Sequence, residues 1–217
     1  MDYWPGVQFP KDNMDSAWDQ ATRGRYIEFD NEENVQLHSD VAAVAADSGR
    51  LGDSIVYIAN SASGCRALLT AIKSKSKNIK AVVIYETAGA VLPDNVGVPP
   101  PEEDNGFGPF LIPVEDFKKL AEIEAVQFVW GDHRGNNEDQ PGARVNWTEQ
   151  VIYSRLASDL INKYGGNSEV LMLRNDLGLE GNTHIAFMDM NNDKIADILE
   201  NFLAKNDLSG YAKLPKS

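Results

Sequence analysis

Residues 55–86 read IVYIANSASGCRALLTAIKSKSKNIKAVVIYE, which is two apolar runs separated by a helical pattern. The runs at 55–58 and 81–85 are short, rich in β-branched residues and flanked by turn-forming residues, which is typical of buried strands. Between them, residues 64–74 carry apolar side chains at helical spacing: Ala67, Leu68, Ala71 and Ile72. Strand, helix and strand in this order form a βαβ unit, and such units build parallel sheets.

Three further helices are predicted from apolar periodicity. The first covers residues 35–49 and contains Val35, Val41 and Val44. The second covers residues 147–164 and is expected to turn four residues inward: Ile152, Leu156, Leu160 and Ile161. The last is the clearest, with Asn191 or Asn192 available as its cap and apolar residues at i, i+3, i+4, i+7 and i+8: Ile195, Ile198, Leu199, Phe202 and Leu203.

The second half of the chain adds two buried strands, at 126–130 and 169–173, and one irregular segment. Residues 87–113 hold six of the ten prolines and show no periodicity, which is usual for a functional lid or a disordered linker. Because apolar side chains such as Phe107 would be wasted in solvent, we predict a packed lid, an insertion over about 87–124. The whole chain, residues 1–217, is expected to form one α/β domain with a parallel sheet flanked by helices.

Composition excludes several classes of function. The chain has 20 basic and 33 acidic residues, a net charge of −13, which argues against a nucleic-acid surface and against a basic membrane-surface helix. No apolar run approaches the roughly 20 residues of a membrane span. The single cysteine, Cys65, excludes an internal disulfide and a cysteine-based zinc site. The absence of a signal-peptide region slightly favours the cytoplasm, but Asn146-Trp147-Thr148 fits a glycosylation sequon and leaves the compartment open.

The turn between the first strand and its helix offers a candidate nucleophile. A serine on such a tight turn is forced outward at the carboxyl end of the strand, and the residues two before and two after it must be small. Ala59 and Ser63 meet this condition around Ser61. In the alternative register Ser63 would be the nucleophile, but Ser63 then lies in the first helical turn, so we prefer Ser61. The competing interpretation is a turn whose serines serve only as helix caps.

A serine nucleophile needs a base, and the chain has three histidines. His38 lies at the start of a predicted surface helix, and His133 lies in a polar loop after the third strand. His184 lies between the fourth strand and the final helix, in a loop that is expected to meet the same sheet edge as Ser61. The order of serine before histidine also agrees with the order of catalytic residues in this type of fold.

Two carboxylates could orient the imidazole and stabilise it as imidazolium. Asp132 follows the third strand, which is the more common place for such an acid, but it could equally be a solvated turn residue. Glu86 continues an apolar strand into the predicted site, where an ionised group needs a partner. From the residues alone, both stay open.

Several segments resemble the α/β-hydrolase superfamily, and specifically an esterase branch whose elbow reads H-S-x-S-G and whose next strand ends in glutamate. They are Trp4-Pro5-Gly6, Asn60-Ser61-Ala62-Ser63-Gly64, Tyr85-Glu86, Val129-Trp130-Gly131-Asp132-His133, and Gly181-Asn182-Thr183-His184 with the Asn191-Asn192 and Ile195-Ala196-Asp197 that follow it. The elbow departs from the pattern, because asparagine replaces its histidine. The likeness extends over nearly the whole chain.

The resemblance implies a serine hydrolase acting on a small ester. Ser61 would be the nucleophile, His184 the base, Glu86 the acid and the backbone N–H of Ala62 an oxyanion donor, with no metal or organic cofactor. We therefore predict that Glu86, and not Asp132, hydrogen-bonds His184 at about 2.6–3.2 Å. Glu86 ends the strand next to the elbow strand, and its longer side chain can reach the imidazole.

The superfamily also carries several strands and an oxyanion loop before the segment resembled here, and no such loop precedes Ser61. We expect the sheet to expose the edge of the elbow strand, which is a pairing hazard. A second copy of the chain or a missing N-terminal segment is expected to cover that edge. The alternative function is a truncated, non-catalytic α/β-hydrolase remnant or binding module.

Overall fold

The computed structural model describes residues 6–8, 31–100, 106–132 and 145–210. Its strands are β1 (Ile55–Asn60), β2 (Ile79–Tyr85), β3 (Val91–Pro93), β4 (Phe110–Ile112), β5 (Ala125–Trp130) and β6 (Ser168–Met172). Its α-helices are α1 (Glu32–Asp47), α2 (Ser63–Lys73), α3 (Val114–Phe117), α4 (Trp147–Lys163), α5 (Leu173–Leu177) and α6 (Asn192–Lys205). Two 3₁₀ helices cover Lys118–Ala121 and Ala186–Met188. None of the helices in these ranges is long and apolar enough to cross a bilayer.

The main sheet has the strand order β1-β2-β5-β6, and every neighbouring pair is parallel. Asn60 at the end of β1 pairs with Tyr85 at the end of β2, and Tyr85 pairs with Val129 near the end of β5. The carboxyl ends of these strands therefore meet at one edge of the sheet. The predicted α/β class, a parallel sheet flanked by helices, is confirmed.

Both faces of the sheet are covered, which explains why β2 is apolar without alternation. Val82 and Ile84 face a core layer that includes buried residues of α1, α2 and α4. Ala81, Val83 and Tyr85 face the other layer, which includes buried residues of α5 and α6. The uninterrupted apolar run is thus a strand with helices on both sides.

The described part of the 87–124 segment packs on the domain. Strands β3 and β4 pair in parallel as a separate two-stranded sheet. Phe117 and Leu120, which follow β4, are fully buried in the same core layer as α2. These residues extend the core, whereas a lid role over the site stays a prediction.

Two helices expose apolar residues that helped to predict them. On α1, Val41 and Val44 are 62% and 69% exposed, and on α4 the predicted inward residue Ile152 is 56% exposed. The residues that face the core are mostly small or polar: Val35, Ser39, Ala43 and Ala46 on α1, and Gln150, Ser154, Ala157, Ser158 and Ile161 on α4. The inward assignment of Ile152 is therefore wrong, because small side chains let these helices lie close to their neighbours.

Strand β1 is an edge strand. Within the described ranges it pairs only with β2, and Ile58 in its middle is 50% exposed. An open strand edge of this kind is a ready template for pairing with another strand. Its coverage by a second copy or by an N-terminal segment stays a prediction.

Candidate active site

The turn between β1 and α2 holds Ser61 in the left-handed region, with φ at 57°. Three backbone hydrogen bonds fix this conformation: Ser61 N–H donates to Tyr85 O, and Ser61 O accepts from the N–H groups of Gly64 and Ala88, each at 3.0 Å. A non-glycine residue in this region is strained, and such strain persists only where the surroundings enforce it. The serine is thereby presented at the carboxyl edge of the sheet.

Behind this turn, Gly64 packs closely against β2 and the residues that follow it. A Cβ at this position would lie 2.4 Å from Thr87 Oγ1 and 2.6 Å from Ile84 Cγ2, so only glycine lets the start of α2 pack this closely on β2. The alternative nucleophile Ser63 is engaged locally, since its Oγ lies 2.6 Å from Asn60 O and accepts from Asn60 N–H at 3.3 Å. Ser63 therefore serves the turn.

His184 is the histidine that the structure brings to Ser61. Its Nε2 lies 2.8 Å from Ser61 Oγ, which is hydrogen-bonding distance. His38 lies elsewhere, with its Nδ1 3.3 Å from Arg66 Nε, and His133 falls outside the described residues. The His184 side chain is 34% exposed, so the pair can be reached from solvent.

Glu86 lies on the other side of the imidazole. It directly follows β2, has a φ of 49° and is 2% exposed. Its Oε1 accepts a hydrogen bond from Gly131 N–H, and its Oε2 lies 3.9 Å from His184 Nδ1. Glu86 Oε2 and His184 Nδ1 are both buried, and neither has a hydrogen-bond partner among the described residues. Two buried polar atoms without a hydrogen-bond partner among the described residues therefore lie 3.9 Å apart.

This separation of 3.9 Å is longer than the hydrogen bond of about 2.6–3.2 Å that we predicted between Glu86 and His184. The alternative acid, Asp132, does not contact the imidazole. Its Oδ1 accepts from the N–H groups of Gly181 and Asn182 at 2.9 and 3.0 Å, and its side chain is only 9% exposed. Asp132 is thus largely shielded from solvent, and it anchors the loop that carries the histidine.

A second carboxylate braces the same loop. Asp189, 1% exposed, accepts from Asn182 Nδ2, from Thr183 N–H and from Thr183 Oγ1 at 2.8–3.1 Å. Asn191 precedes α6 but makes no side-chain cap, because its amide exchanges hydrogen bonds with Asn182 at 2.9 and 3.1 Å. The predicted cap is therefore used to hold the histidine loop instead.

A solved structure described as a novel bacterial esterase aligns with this chain, with a TM-score of 0.64 and 24% sequence identity. The chain is similar in fold to this esterase. The match covers 94% of this chain and 53% of the esterase chain, so the chain spans about half the length of its structural neighbour. The likeness supports the predicted fold class, a parallel sheet flanked by helices. No protein-family model and no curated protein matches the sequence.

Two residues at the site were not predicted from the sequence. Asn60 donates from its side-chain amide to the backbone oxygens of Tyr85 and His184, at 3.0 Å each. Trp147, the first residue of α4, lies against His184 with ring centroids 4.5 Å apart and an interplanar angle of 54°. The only signal for Asn60 was its departure from the elbow pattern, and Trp147 had none.

The backbone N–H of Ala62, which was predicted to be an oxyanion donor, lies in the turn directly after Ser61. Ala62 directly follows Ser61 at the N-terminus of α2, with helical φ and ψ of −58° and −17°. No acceptor in the described part of the chain takes its backbone N–H. The described residues contain no group of three or more His, Cys, Asp or Glu side chains placed to hold a metal ion.

Proposed function

We propose that the chain is a serine hydrolase that cleaves a small carboxylic ester through Ser61, His184 and Glu86. The observation that carries the proposal is the 2.8 Å separation between Ser61 Oγ and His184 Nε2, at a turn that holds the serine in a strained conformation. A hydroxyl next to an imidazole nitrogen on a strand-to-helix turn is the arrangement that activates serine for acyl transfer.

In the first step, Ser61 Oγ bonds to the carbonyl carbon of the ester while His184 Nε2 takes the hydroxyl proton. The carbonyl electron pair moves onto oxygen, where Ala62 N–H can donate to it. The bond to the alcohol oxygen then breaks, and His184 returns the proton to the departing alcohol. Water, deprotonated by the same nitrogen, then attacks the acyl carbon. The bond from that carbon to Ser61 Oγ breaks, His184 returns the proton to Ser61, and the acid is released.

Glu86 would hold His184 with Nδ1 protonated, so that Nε2 is free to accept the serine proton. Gly131 N–H holds one carboxylate oxygen, which leaves the other to face the imidazole. Hydrogen bonds of this kind are often long before the substrate binds and shorten as charge develops on the ring. At 3.9 Å the two atoms are not hydrogen-bonded, so this role requires them to approach each other when the ring becomes charged.

Labelling with a fluorophosphonate probe and hydrolysis of p-nitrophenyl acetate test the nucleophile. We expect Ser61→Ala to abolish both, while the matched variant Ser63→Ala keeps both. Labelling that survives Ser61→Ala and disappears with Ser63→Ala would show that Ser63 is the nucleophile. A folded wild-type protein that neither labels nor hydrolyses esters would refute the proposal and favour a binding module.

The acid is tested by two isosteric variants. Glu86→Gln should lower turnover by orders of magnitude, up to about 10⁴-fold, because the imidazole loses the group that selects its tautomer. Asp132→Asn should have little effect, because the amide oxygen can still accept from the loop. The opposite pattern would show that Asp132 is the acid.

A further inference from the structure

Asn60, the residue before the proposed nucleophile, connects the turn between β1 and α2 to the loop that carries His184. Asn60 ends β1, and its Nδ2 lies 3.0 Å from the backbone oxygens of both Tyr85 and His184. Because both partners are carbonyl oxygens, only the NH₂ end of the amide can face them. The bond to His184 spans 124 residues of the chain. One half-buried side chain therefore connects the end of β1 to the loop between α5 and α6.

The two carbonyls belong to the backbone that supports the proposed catalytic residues. Tyr85 O also accepts the N–H of Ser61 at 3.0 Å, and Tyr85 immediately precedes Glu86. His184 O belongs to the residue whose ring nitrogen contacts Ser61 Oγ. The Asn60 amide thus contacts the supports of the nucleophile, the acid and the base together.

We propose, on the basis of the proposed function, that Asn60 is a positioning residue. It fixes where the His184 backbone lies relative to the turn that carries Ser61. Asp132 and Asp189 hold the loop on the amino-terminal side of His184, at positions 181–183. Asn60 holds the carbonyl of His184 itself. The imidazole is thereby restrained from both directions along the chain, which keeps Nε2 within reach of Ser61.

The test compares Asn60→Asp and Asn60→Ala with Asn78→Ala. Asn60→Asp preserves shape but replaces both donor hydrogens with an oxygen that faces two carbonyls. Asn78 is the matched control, because it is also half-buried and its Nδ2 donates to Ala46 O at 3.0 Å, away from the site. Each net hydrogen bond shifts the equilibrium between a held and a displaced His184 loop roughly fivefold. Loss of both bonds should therefore lower kcat about 10- to 50-fold with little change in KM.

The second readout is amide hydrogen exchange in peptides that cover residues 181–190. Both Asn60 variants should exchange faster there, with circular dichroism unchanged, whereas Asn78→Ala should exchange as wild type in this loop. Unchanged kcat in Asn60→Asp, or unchanged loop exchange, would overturn the inference. If the wild-type protein neither hydrolyses p-nitrophenyl acetate nor reacts with a fluorophosphonate, the proposed function fails, and exchange alone then decides whether Asn60 holds the loop.

Discussion

Replacing Gly131 with alanine should disable the site without removing any of its functional side chains. Gly131 follows β5, and a Cβ built on it would lie 2.7 Å from the backbone oxygen of Asn182 and 3.1 Å from Glu86 Oε1. The first distance is shorter than real Cβ atoms show, and the neighbour is backbone, so the His184 loop or the end of β5 must move. Forced packing of this kind costs about 1–3 kcal/mol.

The effect on reactivity should be larger than the effect on stability. A displacement of about 1 Å between reacting groups can lower a rate about 100-fold, so we expect fluorophosphonate labelling of Gly131→Ala to slow by about that factor. Urea unfolding measures the stability change. Gly210→Ala is the control, because a Cβ there meets nothing within 4 Å. Labelling and unfolding of Gly131→Ala at wild-type values would refute the close approach and the reasoning built on it.

Substitutions at three further positions test the packing and the charges around the site and the sheet. Asp132→Ala should lower the free energy of unfolding by about 1–3 kcal/mol, because two buried N–H groups of the loop lose their acceptor, and Asp132→Asn should lower it less. Tyr85→Phe should leave the free energy of unfolding unchanged or raise it by up to about 1 kcal/mol, because no described residue hydrogen-bonds the Tyr85 hydroxyl. Burial of this hydroxyl also raises its pKa to about 12. A lower free energy of unfolding for Tyr85→Phe in urea would contradict this. Burial alone would raise the pKa of Asp47, but hydrogen bonds from Ser74 Oγ and from the N–H groups of Lys75 and Ser76 outweigh it and hold the pKa well below the ordinary 3.8. The stability from Asp47 is therefore present above pH 3.8 and lost as pH falls below it, so the wild-type advantage over Asp47→Asn should shrink in acid unfolding series; an advantage independent of pH would contradict the assignment.

The sheet and its helices could be predicted because burial leaves a local record in the sequence. The run of apolar residues in β2 follows from helices covering both faces, and Ile195 and Phe202 of α6 are buried as their spacing predicted. Spacing alone does not say which side of a helix meets the core. On α1 and α4, small residues allow the closer approach, so Val44 and Ile152 face outward.

Some residues of the candidate site could likewise be predicted from the sequence, and others could not. Ser61, Glu86 and His184 could be singled out because strand ends and turn chemistry place them at one edge, and their roles stay predictions. Asn60 and Trp147 contact His184, which lies far along the chain, and no local pattern encodes such contacts. The 3.9 Å separation at Glu86 likewise depends on where Gly131 holds the carboxylate.

The order of strands has a consequence for how the protein is made. Strands β1, β2, β5 and β6 occupy the sheet in the order in which they leave the ribosome, so each new strand can add to the edge formed by the one before it. The acceptor of Ser61 N–H, Tyr85 O, is in place once β1 and β2 pair, whereas Glu86 is also held by Val129 O and Gly131 N–H and so requires β5. His184 emerges 123 residues after Ser61. Translation therefore completes the strand pair that supplies the acceptor of Ser61 N–H well before it reaches His184, the residue proposed to activate the serine.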